Sequence, residues 1–148
     1  MSLAFRNLTI SPQDPVAIWP AEAIQAALER GDLGHWQRIV AELKREPWGH
    51  AARRLEEVLG YSRPYGVADA MAAVLQRIRT RTENDERAEV AAEFRHAITE
   101  SGLSRAEFAS RIGTSPSRLS TYATGKVTPS AALMVRIRRL LEAVHSGR

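Results

Sequence analysis

Apolar residues recur along most of the chain at intervals of three and four, the spacing that places side chains on one face of an α-helix. The first four such stretches are residues 20–31, 32–46, 48–59 and 67–78. Pro20 fits a first helical position, Asp32 fits an N-terminal cap, and Gly31, Pro47 and Gly60 end the first three stretches. No segment has a convincing strand pattern. The N-terminal half is therefore predicted to be an antiparallel helical module.

The segment from Arg79 to Glu89 is almost wholly polar and separates these four helices from the rest of the chain. It either links two domains or forms the exposed part of one long helix, because it contains no residue that breaks a helix. We place the domain boundary here. The chain is then predicted to hold a helical module at residues 1–82 and a second domain at residues 83–148.

The first nineteen residues contain Pro12 and Pro15 and few periodic positions, so we expect an extended arm. Its apolar side chains are too numerous for a free tail: Leu3, Phe5, Leu8, Ile10, Val16, Ile18 and Trp19. Such an arm packs either on its own domain or on a partner protein. We expect the first arrangement, because a loose apolar arm would promote aggregation.

A turn rich in proline and glycine separates the third and fourth helical stretches. Residues 61–65 read Tyr-Ser-Arg-Pro-Tyr, so two aromatic rings and a guanidinium share a rigid bend. This bend could hold a ligand or a partner protein. Tyrosines at such a position more often close the end of a helical module, and this is the interpretation we favour.

Three helical stretches with clear capping signals follow from residue 90. Gly102 suits the left-handed position after the first of them, and Ser104 can cap the second. Gly113 ends the second stretch, and the third begins with Ser115 as cap and Pro116 as first helical residue. Two short helices joined by so tight a turn are typical of a helix-turn-helix unit.

Residues 103–126 resemble the helix-turn-helix of the Cro and phage-repressor (XRE-type) family, and the resemblance covers about residues 90–144. The positions that carry it are Ala109, Gly113, Leu119, Tyr122, Gly125 and Lys126. The sequence departs from the family at residues 123–124, where the family often has an acidic residue. The resemblance implies an all-α protein in which the N-terminal module is followed by a five-helix, repressor-like DNA-binding domain.

If Leu119 and Tyr122 face the core, the opposite face of the third helix is polar and built of small side chains. In the family this face enters the major groove of DNA. The resemblance therefore implies base contacts by Pro116, Ser117, Arg118 and Thr121, with Thr124 one turn further on. It implies contacts to the DNA backbone by Arg105, Ser115 and Lys126.

The distribution of charge favours a phosphate-bearing partner. Residues 1–100 hold 13 Lys/Arg against 15 Asp/Glu, whereas residues 101–148 hold 8 against 2. The net charge of +4 is thus concentrated in the last third of the chain. No acidic residue lies between Phe108 and Leu141, which predicts an uncompensated basic surface in this segment.

Residue types that support catalysis or metal binding are absent or unfavourably spaced. The chain has no cysteine, its 4 histidines show no paired spacing, and it contains no glycine-rich phosphate loop. We expect no catalytic residues, no metal and no cofactor. No apolar run approaches the length of a membrane span, and the N-terminal residues do not resemble a signal peptide. We therefore expect a cytoplasmic protein.

Together these features predict a transcriptional regulator that binds double-stranded DNA sequence-specifically, most simply a repressor. A homodimer is expected because one recognition helix reads too few base pairs for useful specificity. The alternative is an antitoxin-like protein, which would neutralise a toxin-like protein partner through its N-terminal module or its apolar arm and regulate their shared promoter. Both hypotheses share the DNA-binding domain.

Overall fold

A computed structural model describes residues 3–6, 8–61 and 66–147, and in these residues the chain is helical without any strand. The helices are α1 (Ala21–Arg30), α2 (Leu33–Arg45), α3 (His50–Tyr61), α4 (Val67–Ser101), α5 (Arg105–Ile112), α6 (Pro116–Ala123) and α7 (Ala131–Ser146), preceded by a short 3-10 helix at Val16–Ile18. The predicted all-α fold is confirmed. The predicted turn at residues 61–65 lies, apart from Tyr61, outside the described residues.

The chain forms two compact units, Met1–Thr82 and Glu83–Arg148, which we call the first and second units. Helix α4 contributes residues to both, since it runs without a break through the polar segment from Arg79 to Glu89. The segment is therefore part of one long helix, and the division between the two units also falls within it. It stays helical because nothing in its sequence opposes helix formation.

The first unit buries the apolar faces of α1, α2 and α3, together with the N-terminal arm and the start of α4. Trp19 is wholly buried, its ring meets Phe5 edge-on with centroids 5.0 Å apart, and its indole N–H donates to the carbonyl oxygen of Asp14 at 2.9 Å. Leu3 is also buried in this core, whereas Ile18 is exposed. The expectation that the arm packs on its own module is confirmed.

Helix boundaries in the first unit follow most of the predicted signals. Asp32 caps α2 by accepting a hydrogen bond from the backbone N–H of His35 at 3.2 Å, as predicted. Two expectations are wrong. Pro20 is the residue before α1 rather than its first, and Gly60 lies inside α3, which continues to Tyr61. A glycine costs only about 1 kcal/mol within a helix, so it does not end one that is held by packing.

The second unit consists of the end of α4 with α5, α6 and α7 around one core. Three helices each contribute a large, wholly buried side chain to this core. These are Phe94 from α4, Phe108 from α5 and Leu119 from α6. The predicted count of five helices is wrong, because the described part of this unit has four. Helix α7 is one continuous helix, and the seven residues 124–130 before it form a loop.

Candidate nucleic-acid interface

Helices α5 and α6 form the predicted helix-turn-helix, with residues 113–115 between them. Gly113 has a left-handed backbone with φ of 78°, a conformation that strains other residues. The N–H of Thr114 donates to the carbonyl oxygen of Ala109 at 2.9 Å, which closes the end of α5. Ser104 caps α5 and Ser115 caps α6, so both predicted caps are confirmed.

The inward face of α6 is fixed to the core of the second unit. Leu119 is wholly buried and Ala123 is 3% exposed. Tyr122 is half-buried, and its ring centroid lies 5.4 Å from that of Phe94. The predicted inward orientation of Leu119 and Tyr122 is therefore confirmed, and it determines which side chains of α6 face outward.

The outward face of α6 carries the side chains predicted to contact bases. Pro116, Ser117 and Arg118 are exposed, and Thr121 is half-exposed. Ser120, which the sequence analysis did not select, is exposed as well. Ser120 is three positions from Ser117, and this spacing in the sequence could have identified it as a neighbour on the same face. Apart from Arg118 this face is uncharged and its side chains are short.

Hydroxyl groups on this face bond to one another and to the helix backbone. The Oγ atoms of Ser115 and Ser117 are 3.2 Å apart, and that of Ser115 also accepts from the backbone N–H of Arg118 at 3.2 Å. The hydroxyl of Thr121 donates to the carbonyl oxygen of Arg118 at 2.6 Å. The hydroxyl of Thr124 donates to the carbonyl oxygen of Thr121 at 3.3 Å. These bonds limit what the face can donate to a ligand.

The residues predicted to contact phosphates lie at the ends of the two helices. Arg105 is the first residue of α5, Ser115 is the cap of α6, and Lys126 follows the turn at the end of α6. All three are exposed. The first turn of a helix presents free backbone N–H groups, so Arg105 and Ser115 lie where an anion is favoured.

The basic surface of the second unit is partly compensated. Within the described residues, no acidic side chain pairs with Arg105, Arg118, Lys126, Arg138 or Arg139. Two of the cations counted in the sequence have local partners: Arg111 lies 4.0 Å from Glu107, and Arg136 donates to the carbonyl oxygen of Ile112. The prediction of an uncompensated surface is therefore wrong for Arg111, whereas Arg136 keeps its full charge because a carbonyl oxygen is neutral.

Two arginines that the sequence analysis did not select hold the helix-turn-helix in place. Arg95 of α4 donates from Nη1 to the carbonyl oxygen of Ala123 at 2.6 Å, at the end of α6. Arg136 of α7 donates from Nη1 to the carbonyl oxygen of Ile112 at 3.3 Å, at the end of α5. A cation at the C-terminus of a helix satisfies a free carbonyl and complements the helix dipole. Each short helix thus has its last turn anchored by a neighbouring helix.

Neither a metal site nor a membrane-spanning helix is found among the described residues. In the part of the chain that the structure describes, no group of three His, Cys, Asp or Glu residues could hold a metal ion. None of the helices described is both long and apolar enough to cross a membrane.

Comparison with known proteins agrees with this geometry. A family model described as a helix-turn-helix domain matches residues 70–147, which is more than half of the chain and includes all of α5, α6 and α7. No curated protein and no solved structure matches the chain. The protein belongs to the helix-turn-helix domain family.

Proposed function

We propose that the protein is a sequence-specific regulator that binds double-stranded DNA by placing α6 in the major groove. The observation that carries this proposal is the orientation of α6. Leu119 and Ala123 are buried, and apart from Arg118 the opposite face has short side chains. Arg105 and Lys126 nearby have no acidic partner among the described residues. The major groove of B-DNA is about 12 Å wide and admits one helix with such a face.

The proposed roles follow from position. Pro116, Ser117, Arg118 and Thr121 lie on or beside the outward face and would meet base edges. Arg105, Ser115 and Lys126 lie at helix ends and in the following turn, and would meet phosphates. Contacts of the second kind set the position of the protein on DNA, and contacts of the first kind distinguish sequences.

We further propose that the protein acts as a homodimer and as a repressor of the Cro and phage-repressor type. Helix α6 has eight residues and reaches only a few base pairs. Two copies on half-sites about one helical turn apart would supply the missing specificity. Occupation of such a site within a promoter would block transcription.

The antitoxin-like alternative has less support. It assigns the first unit, or the apolar arm of that unit, to contact with a toxin-like partner. Leu3 and Trp19 of this arm are buried in the core of their own unit and have no apolar surface to offer, so that Ile18 is left as the exposed large apolar side chain of the described arm. We therefore favour the repressor hypothesis.

The test uses the full chain. Selection from a pool of random duplexes gives a binding site, and fluorescence anisotropy then measures affinity between low and physiological salt. Arg105→Ala and Lys126→Ala should weaken binding to all sequences and reduce its dependence on salt. Ser117→Ala and Thr121→Ala should each cost about 1 kcal/mol at particular base pairs. Absence of salt-dependent binding would refute the function, and equal effects of all four variants would refute the assigned face.

A further inference from the structure

One side of α7 faces the end of α5 and the turn that follows it. Arg136 donates from Nη1 to the carbonyl oxygen of Ile112 at 3.3 Å. A Cβ atom at Gly113 would lie 3.3 Å from the same nitrogen, so this guanidinium lies against the turn of the helix-turn-helix. Ser115, the cap of α6, is two residues beyond Gly113 and at most about 7 Å further along the chain. The positive charge of Arg136 is therefore close to a helix end at which the proposed function places a phosphate.

Arg139 continues this side of α7. It is three positions after Arg136, which places the two side chains on neighbouring turns, about 60° apart around the helix axis. Both residues are exposed. Arg139 has no acidic partner within the described residues, and the carbonyl oxygen that Arg136 contacts is neutral. Two uncompensated cations thus follow one another along α7, beginning at the turn of the helix-turn-helix.

Arg138 lies on a different side of α7. It shares a face with His145, seven positions later, and Nε2 of His145 is 3.7 Å from Oε1 of Glu100 on α4. That side of α7 therefore faces α4, whereas the side with Arg136 faces the helix-turn-helix. Like Arg139, Arg138 is exposed and has no acidic partner in the described part of the chain. Two adjacent arginines of equal charge thus differ in the direction that they face.

We propose that Arg136 and Arg139 form a second phosphate-binding surface, which extends the DNA contacts of the helix-turn-helix onto α7. A guanidinium binds phosphate oxygens through several N–H donors, of which Arg136 uses one for Ile112. A contact of this kind adds affinity without regard to base sequence. This inference rests on the proposed function, because it assigns a further contact to the same DNA.

The test uses the full chain and substitutes Arg139, because Arg136 also anchors the end of α5. Arg139→Gln removes one charge, and Arg138→Gln is the matched control with the same change in net charge. Arg139→Lys restores a cation at the site. Fluorescence anisotropy measures the affinity of each variant at several salt concentrations, with the duplex selected by wild type and with a scrambled duplex of the same length.

The slope of log K against log salt reports how many phosphates the protein neutralises, at about 0.9 for each phosphate. Arg139→Gln should reduce this slope by about 0.9 for each chain bound. Between 50 and 200 mM salt, wild type should therefore lose about threefold more affinity than Arg139→Gln for each chain bound. The effect should be equal on both duplexes. Arg138→Gln and Arg139→Lys should keep the wild-type slope.

The outcomes distinguish this inference from the function on which it rests. Absence of salt-dependent binding by wild type would refute DNA binding itself. If wild type binds and Arg139→Gln keeps its slope, or loses no more of it than Arg138→Gln, the phosphate contact on α7 is wrong. A loss confined to the selected duplex would indicate a base contact and would also overturn the proposal. Thermal unfolding checks that the variants are folded, and equal Tm values are expected because both arginines are exposed.

Discussion

Arg95 lies outside the helix-turn-helix, yet it should determine how firmly α6 is held. Its guanidinium reaches from α4 to the carbonyl oxygen of Ala123 at 2.6 Å, in the last turn of α6. The variant Arg95→Met retains a long side chain of high helix propensity but removes the donors and the charge. It leaves the carbonyl of Ala123 without this partner and the end of the helix without its cation.

The size of the effect can be worked from this contact. A hydrogen bond with a charged partner contributes about 1.5–3 kcal/mol, and a cation at a helix C-terminus adds about 0.3–1 kcal/mol. Because the Arg95 side chain is exposed to water, screening puts the expected loss at the low end, about 1.5 kcal/mol. For a unit of this size each kcal/mol shifts Tm by about 4–8 °C, so a decrease of about 6–12 °C is expected.

Thermal unfolding followed by circular dichroism measures this decrease. All three tryptophans lie in the first unit, at Trp19, Trp36 and Trp48, so tryptophan fluorescence should change less than circular dichroism. Arg81→Met is the matched control, because Arg81 is exposed on the same helix and has no bonding partner among the described residues. If Arg95→Met unfolds at the same temperature as this control, the bond to Ala123 does not hold α6 and the reasoning is wrong.

Three further outcomes are expected. Trp19→Ala should cost about 3–5 kcal/mol in urea unfolding, because the indole is wholly buried; a loss below about 1 kcal/mol would show that the arm is not part of the core. Gly113→Ala should lower stability by about 1–2 kcal/mol through its φ of 78°, whereas Gly60→Ala, in a helix with open space around the new methyl, should be neutral or stabilising. The N–H of His35 lowers the pKa of Asp32 below its ordinary value of 3.8, so its stabilising effect is present above that pH and is lost as pH falls through the lowered pKa. Wild type should therefore have a higher Tm than Asp32→Asn at pH 7, and the difference should vanish in strong acid; an equal difference at both pH values would contradict this.

The parts of the fold that the sequence predicts well depend on neighbouring residues. A serine at the start of a helical stretch, or a glycine at its end, acts within one helical turn. For this reason the caps at Ser104 and Ser115 and the turn at Gly113 lie where the sequence predicts them. The inward orientation of Leu119 follows from the same local periodicity.

The features that sequence reasoning missed depend on contacts between distant residues. Arg95 and Ala123 are 28 positions apart, and Arg136 and Ile112 are 24 apart, so nothing in the local pattern distinguishes these arginines from solvated ones. The hydroxyl partners of Thr121 and Ser117 are local, but side-chain rotamers decide them, and residue type alone does not. The number of helices in the second unit was predicted as five from a family resemblance, and the described part of that unit has four.

The most direct test of the central claim places a negative charge on the outward face of α6. Ser117→Glu does so at the second helical position, where the helix dipole favours an acidic residue, so the helix itself should not be destabilised. Gln37→Glu, at an exposed position of α2, changes the net charge equally and serves as the control. Like charges at an interface cost several kcal/mol, so anisotropy with the selected duplex should show affinity at least about tenfold lower for Ser117→Glu and unchanged for Gln37→Glu. Equal affinity of Ser117→Glu and wild type would contradict the claim that α6 enters the major groove.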